Sequence, residues 1–309
     1  MNLSRFSVSV PQRVLLTWWS TIGFAIAAVA HSARADAQHS CRVTGVPMHV
    51  KELPEASGVA ASRRTPGLLW SHNDSGEPVL VAVATDGTTR GRVYVSGASA
   101  GDWEDIAVGP CPQGSCIYIG DIGDNLARRR AIFIYRVPEP DAGTAVSARA
   151  ESMRVSYPDG PRDAEALIVL PDGSLFVVTK GELGAVALYR VPDNFRNGAT
   201  AQLERIATLM EPEGGRAGRV ARRNRITGAS ASSDGRWVVL RTLYNLTFYN
   251  AADFKTGDIR EAFRYDVSGI REPQGEGVAF GEDGVVWLAS EGGGNRRPGT
   301  IARLDCTLR

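Results

Sequence analysis

The chain of 309 residues has no excess of either charge, few histidines and only one long apolar run. Its 35 Lys and Arg residues balance 34 Asp and Glu residues, so the composition does not favour a nucleic acid or an anionic membrane as partner. Histidine occurs four times and never after His72. The segment Gly97–Gly101 has the G-x-S-x-G spacing of a nucleophile elbow, but the missing downstream histidine excludes a serine triad in that order.

The long apolar run lies at the amino terminus. Arginines flank the run Val14–Ala30, and Ala33-Arg34-Ala35 has the small residues of a cleavage site. This pattern predicts a signal peptide over residues 1–35, a secreted or periplasmic protein, and one domain over residues 36–309. A retained membrane anchor is the alternative for the same run. No later segment is apolar and long enough to cross a bilayer.

The four cysteines all follow the predicted signal peptide. An even number in an exported protein favours disulfides, because the compartment is oxidising. Of the three possible pairings, the natural one joins Cys111 to Cys116 across a tight turn and Cys41 to Cys306 at the domain ends. Their spacings match no zinc pattern.

Five similar units follow one another along the chain. Each begins with a short strand that starts at a polar or acidic residue, turns, and continues as a second apolar strand. These starting residues are Ser57, Glu104, Glu165, Thr227 and Glu276. Asp-Gly turns separate the two strands in several units, and no segment has a convincing helical stripe.

The interval between units is typical of β-propeller blades with variable loops. The sequence therefore predicts an all-β chain with a single propeller of five four-stranded blades. Six blades are the alternative, because either long interval could contain a degenerate blade. The last unit supplies only three strands, so we expect the stretch near residues 41–50 to pair with the strand at Thr300–Leu304 and close the ring.

Strand direction places the starts of the first strands and the ends of the second strands at one face, which we call the mouth face. Many charged residues are predicted on it. The acids are Glu104, Glu165, Glu276, Glu291, Asp74, Asp105, Asp121 and Asp124. The bases are Lys180, Arg241, the triplet Arg128–Arg130 and the loop Arg216–Arg225.

Three of the five starting residues are glutamates that face one another across the channel. In one interpretation they bind calcium, whose flexible oxygen coordination suits ligands from separate blades. The metal ligands in that interpretation are Glu104, Glu165, Glu276, Asp121 and Asn73. In the other interpretation the glutamates pair with Lys180 and Arg241 and accept backbone hydrogen bonds.

The same face offers catalytic and substrate-binding groups. Asp74 or Glu291 would activate water beside the metal. Lys180, Arg225 and Arg241 would bind a small anionic or ester-type molecule, or else the arginine loops are simply solvated. His72 is either a general base at the rim or a hydrogen-bonded residue at a strand end.

The segment Gly275–Phe280, followed by Asp283-Gly284 and Val285–Trp287, resembles a blade of the gluconolactonase, paraoxonase and diisopropyl fluorophosphatase superfamily. In that superfamily a glutamate at the strand start binds catalytic calcium, which the resemblance implies for Glu276. Thr227 stands where those enzymes carry an asparagine ligand, so that position departs from their pattern.

Four motifs are more similar to the secreted bacterial propellers called phytase-like or esterase-like. They are Asp102–Asp105, Gly120–Asn125, Asp163–Ala166 and Gln274–Gly277. The sequence thus predicts an exported propeller that binds calcium at the channel mouth and hydrolyses a small ester, lactone or phosphoester. The alternative is a non-catalytic propeller whose charged face binds a ligand or a protein partner.

Overall fold

The structure is a computed structural model that describes residues 39–192, 194–215 and 218–309. The predicted signal peptide, residues 1–35, lies outside the described residues. In the part of the chain that is described, no helix is long and apolar enough to span a bilayer.

The described strands form five sheets around a central axis. Blade 1 comprises β2 (Ala56–Ala61), β3 (Leu68–Asn73), β4 (Val79–Ala84) and β5 (Thr89–Tyr94). Blade 2 comprises β6 (Trp103–Cys111), β7 (Gly114–Asp121), β8 (Ile132–Pro138) and β9 (Glu151–Ser156). Blade 3 comprises β10 (Ala164–Val169), β11 (Leu175–Thr179), β12 (Val186–Arg190) and β14 (Glu204–Met210).

Blades 4 and 5 complete the ring. Blade 4 comprises β15 (Ile226–Ala231), β16 (Trp237–Thr242), β17 (Asn245–Asn250) and β18 (Glu261–Asp266). Blade 5 comprises β19 (Gln274–Phe280), β20 (Val285–Glu291), β21 (Gly299–Thr307) and β1 (Ser40–Val50). One short helix, α1 (Ala251–Thr256), follows β17, and 3-10 turns occur at Arg222–Asn224 and Ser268–Ile270.

Five four-stranded blades confirm the predicted fold, and the six-bladed alternative is wrong. One strand boundary differs from expectation. The pattern of residues over Ala201–Leu209 predicts a single strand, the fourth of blade 3, but the structure divides this stretch between β13 (Thr200–Gln202) and β14. Strand β13 pairs in parallel with β9 and so covers the outer edge of blade 2.

The ring closes as the sequence predicts. Strand β1 runs antiparallel to β21, from Ser40 opposite Thr307 to Val50 opposite Gly299. Both predicted disulfides, Cys41–Cys306 and Cys111–Cys116, are confirmed. The first joins residues 265 positions apart, and the chain-entropy model assigns so long a loop roughly 4–5 kcal/mol of stabilisation. Such bridges are typical of proteins from oxidising compartments.

The core consists of five apolar clusters, one between each pair of neighbouring blades. Trp70 and Trp103 pack between blades 1 and 2 with no exposed surface. Phe176 and Phe254 fill the space between blades 3 and 4, where their rings contact edge to face. The apolar positions that alternate along each strand are therefore buried between sheets.

The first strands β2, β6, β10, β15 and β19 contact one another in a closed ring around the axis. Glycines allow this approach. A Cβ added to Gly58 would lie 2.6 Å from the nitrogen of Ile106, and one added to Gly277 would lie 2.4 Å from the oxygen of Ser57. The channel is consequently narrow below the mouth face.

Asp105 joins three blades at the level of these contacts. Its Oδ1 accepts a hydrogen bond from the Ile106 amide at 2.9 Å, and its Oδ2 accepts from the amides of Leu167 at 2.9 Å and Ala229 at 3.2 Å. The side chain has no exposed surface. Burial raises the pKa of Asp105 well above its usual value, and the three amides oppose that shift.

Candidate metal centre at the channel mouth

Each first strand has an irregular register at its starting residue. The register between first and second strands shifts at Ser57, Glu104, Glu165, Thr227 and Glu276. A β-bulge bends the strand and changes the direction of the bulged side chain. The bulges thus separate the starting residues from the regular alternation of the blades and bring them to the channel mouth.

The ends of the second strands lie beside these bulges, as the strand directions predict. Asn73 pairs with Ala56, Asp121 with Trp103, and Thr179 with Ala164. Glu291 pairs with Gln274 in blade 5. The mouth face is therefore formed by both sets of residues.

Three buried carboxylates form the centre of this face. One oxygen each from Glu104, Asp163 and Glu165 lies within 4.8 Å of the other two. The structure thus brings together two of the glutamates that the sequence singled out and adds Asp163. Asp163 lies just before β10, and the register shift at Glu165 takes that residue out of the regular alternation, so strand periodicity alone does not identify Asp163 as its neighbour.

The partners of Asp163 leave one acceptor free. Its Oδ1 accepts a hydrogen bond from the Asp124 amide at 2.8 Å. Its Oδ2 is buried without a hydrogen-bond partner, and the Lys180 Nζ lies 3.8 Å away. A buried carboxylate oxygen without a partner is costly, and a hard cation in the cluster would satisfy it. These three side chains therefore fit a divalent cation.

Two of the glutamates have raised pKa values. Burial and the neighbouring Glu165 carboxylate raise the pKa of Glu104 well above its usual range. Burial also raises the pKa of Glu165, to about 7, although Lys180 contacts it and opposes the shift. The hydrogen bond between the two side chains raises the pKa of Glu104 and lowers that of Glu165, so Glu104 is the favoured donor and the Glu165 carboxylate the acceptor.

The raised pKa values make stability depend on pH. The folded state holds protons at Glu104, Glu165 and Glu276 that the unfolded chain loses above its ordinary value of 4.5. The stabilisation is complete below that value and is lost as pH rises through about 7 for Glu165. We expect the free energy of unfolding, measured with urea in chelator, to fall between these two pH values. In a Glu165→Gln variant the free energy of unfolding should fall less steeply with pH. An equally steep fall would contradict the raised pKa of Glu165.

Glu276 lies in a separate hydrogen-bonded group. The side-chain amide of Gln274 donates to Glu276 Oε1 at 2.7 Å and to Glu291 Oε1 at 2.9 Å. Gln274 precedes Glu276 by two residues, as Asp163 precedes Glu165 and Asp102 precedes Glu104. Burial and then the Glu165 charge raise the pKa of Glu276.

The other two predicted metal ligands have their side chains in the surrounding loops. Asp121 forms an ion pair with Arg129 at 2.8 Å and accepts the Asp102 amide at 3.0 Å. Asn73 accepts the Glu55 amide and donates to a loop carbonyl, both at 3.0 Å. Both residues shape the rim and lie outside the three-carboxylate cluster.

The predicted substrate-binding bases are each paired with an acid. Arg225 lies 2.9 Å from Glu182. Arg241 is fully buried, contacts Glu272, and donates to the carbonyls of Gly277 and Ala289. Lys180, as described above, lies against Glu165, which is the pairing that the second interpretation of the sequence proposed.

Asp74 and Glu291, the predicted catalytic acids, are half-buried near each other. Burial raises the pKa of Glu291 to about 7, and the charges of Asp74 and Glu55 add to the shift. Burial likewise raises the pKa of Asp74, and its Oδ1 has no hydrogen-bond partner. A carboxylate that titrates near neutral pH has the proton affinity that a general base needs.

Of the two alternatives for His72, the structure shows the hydrogen-bonded residue at a strand end. It is completely buried, its Nε2 accepts the Gly58 amide at 3.2 Å, and its Nδ1 lies 2.9 Å from the Asn73 carbonyl. Burial lowers its pKa to about 4, so the imidazole is neutral and ties β3 to β2.

A cleft of about 390 Å³ opens beside the cluster, between blades 3, 4 and 5. Its lining is mostly polar and includes residues from all three blades. These residues are Lys180, Glu182, Arg222, Arg225, Thr227, Leu243, Gln274 and Glu276. A small molecule in this cleft would lie next to the carboxylate cluster.

No protein-family model and no curated protein matches this chain. Among solved structures, it is similar to the PQQ-bound aldose sugar dehydrogenase of Streptomyces coelicolor, with 15% identity and a TM-score of 0.51 over 88% of this chain and 99% of that chain. The Malassezia sympodialis allergen Mala s 1 has 12% identity and a TM-score of 0.51 over 84% and 95%. A gluconolactonase of Xanthomonas campestris has 12% identity and a TM-score of 0.47 over 89% and 99%. The first two likenesses show a common fold.

The structural neighbours are consistent, at the level of fold, with the distant resemblance noted in the sequence. The finer resemblance to phytase-like or esterase-like propellers stays a prediction. Because folds of this kind carry many activities, the fold alone does not assign a chemistry to this chain.

Proposed function

We propose that this chain is an exported propeller hydrolase that cleaves a small ester or lactone. It binds a divalent cation at the channel mouth, and because the ligands are all oxygen atoms we propose that this cation is calcium. The observation that carries the proposal is the buried cluster of Glu104, Asp163 and Glu165 with an unsatisfied oxygen on Asp163. When bound, the cation would polarise the carbonyl oxygen of the substrate.

The remaining chemistry is assigned to residues around the cleft. Glu291 accepts a proton from the attacking water, because its pKa of about 7 leaves it ionised at mildly alkaline pH and basic enough to act. Gln274 orients Glu291 and Glu276 through the two hydrogen bonds of its amide. Thr227 and Leu243 line the cleft and contact the body of the substrate.

The charge of the mouth favours a neutral substrate over a phosphoester. Arg225 is paired with Glu182, Arg129 with Asp121, and Arg241 with Glu272, so these guanidinium groups are already compensated. A strongly anionic substrate would lie near Glu276 and Glu291 instead. The same argument disfavours the anionic cofactor PQQ, which the Streptomyces relative binds.

The test is a panel of esters, lactones and phosphoesters, assayed with calcium and with chelator. We expect turnover of uncharged esters or lactones that chelator abolishes and calcium restores. The Glu291→Gln variant should lose most of kcat, while Glu261→Gln, on the exposed outer strand of blade 4, should retain it.

Binding of a cation without turnover of any substrate in the panel would favour the non-catalytic alternative. In that case the charged mouth face serves a ligand or a protein partner, and Glu291→Gln has no activity to lose. Turnover that is unchanged in chelator would contradict the role of the cation.

A further inference from the structure

The channel has a second mouth on the opposite face, where the hairpin turns lie. A pocket of about 180 Å³ opens there, and all five first strands contribute to its wall. The wall combines small apolar side chains with hydroxyl groups. The apolar residues are Ala60, Ala107, Val108, Val169, Ala231 and Phe280, and the serines are Ser62, Ser230 and Ser233. The close contacts of Gly58 and Gly277, together with buried Asp105, separate it from the metal centre.

Two opposite charges stand at the rim of this pocket. Arg63 lies in the turn between β2 and β3, and Glu282 lies in the turn between β19 and β20 of the neighbouring blade. Within residues 39–192, 194–215 and 218–309, neither side chain forms an ion pair or hydrogen bond, with each other or with any other group.

The neighbouring charged groups have other partners. Arg64 is paired with Asp141 at 3.0 Å. The buried Glu139 accepts hydrogen bonds from Ser62, Trp70 and Ser115. Arg63 and Glu282 are both exposed. Partial burial lowers the pKa of Arg63, and the charge of Glu139 opposes that shift without contacting the guanidinium.

We propose that this second mouth binds a free α-amino acid with a small apolar side chain. The carboxylate pairs with Arg63, the ammonium group pairs with Glu282, and the side chain enters the pocket between Ala107 and Val169. A simple carboxylic acid would leave Glu282 unpaired, and a simple amine would leave Arg63 unpaired. The pocket size suits a few carbon atoms, as in alanine or valine.

The test measures binding of L-valine to the full chain by isothermal titration calorimetry and by NMR line broadening. Two analogues isolate the charges: 3-methylbutanoate lacks the ammonium group, and 2-methylpropylamine lacks the carboxylate. We expect each analogue to bind at least about tenfold more weakly than valine, the loss of one charge-assisted contact.

Two variants and a matched control complete the design. Arg63→Gln and Glu282→Gln should each weaken valine binding by about tenfold or more, while Arg236→Gln, on the same face outside the pocket, should leave it unchanged. Valine binding should also persist in chelator and in Glu165→Gln, which separates this site from the metal centre. No binding of valine, or equal binding of 3-methylbutanoate, would overturn the proposal.

Discussion

Replacing Asp105 by asparagine should lower the free energy of unfolding by about 1–3 kcal/mol, the cost of leaving a buried backbone N–H without an acceptor. The two side chains have nearly the same shape, so packing is preserved. Asparagine has one acceptor oxygen in place of two, and its NH2 group must face at least one of the amides of Ile106, Leu167 and Ala229. Each backbone N–H that faces this NH2 group is left without a hydrogen-bond acceptor inside the ring.

Urea unfolding of Asp105→Asn measures this loss directly. The control is Asp258→Asn, an exposed aspartate paired with Arg260, which should change the free energy of unfolding by less than about 0.5 kcal/mol. A change at Asp105 no larger than that of the control would contradict the view that this residue holds three blades together.

The second large effect concerns the cation. Glu165→Gln should weaken calcium binding by at least about a hundredfold, because it removes a ligand that contacts both Glu104 and Lys180. Wild-type binding must also displace the proton shared with Glu104. Calcium affinity should therefore fall as pH falls below the Glu165 pKa of about 7, and above that pH it should still rise for as long as Glu104 retains its proton.

Calorimetry in two buffers of different ionisation enthalpy measures the released proton. Glu276→Gln is the informative comparison, since Glu276 lies outside the three-carboxylate cluster and is held by Gln274. The geometry predicts that Glu276→Gln weakens calcium binding by less than about tenfold. The family resemblance predicts a loss equal to that of Glu165→Gln, so the pair of variants decides between the two ligand sets.

Much of the fold could be predicted because its signals are local. Asp-Gly turns and alternating apolar residues mark the hairpins, and the three-stranded last unit requires a fourth strand from elsewhere, which β1 provides. The path of β13 could not be predicted, because its pairing with β9 depends on the position of the neighbouring blade. A short strand of three residues carries too little pattern to reveal its partner.

The location of the site could be predicted from the sequence, but not all of the residues that form it. Strand direction placed Glu104 and Glu165 at one mouth, and the structure brings one carboxylate oxygen of each within 4.8 Å of the other. Asp163 was missed because its role depends on the bulge at Glu165, a register shift that the sequence does not mark. The ion pair between Arg225 and Glu182 could not be predicted either, because it joins two separate loops.

The central claim is that the channel mouth binds a divalent cation through Glu104, Asp163 and Glu165. Its most direct test is elemental analysis combined with native mass spectrometry, on protein equilibrated with millimolar calcium at mildly alkaline pH. The account predicts one divalent ion per chain in the wild type and none in Glu165→Gln. A wild-type chain without bound metal under these conditions would contradict it, and the three carboxylates would then serve the ion pair with Lys180 alone.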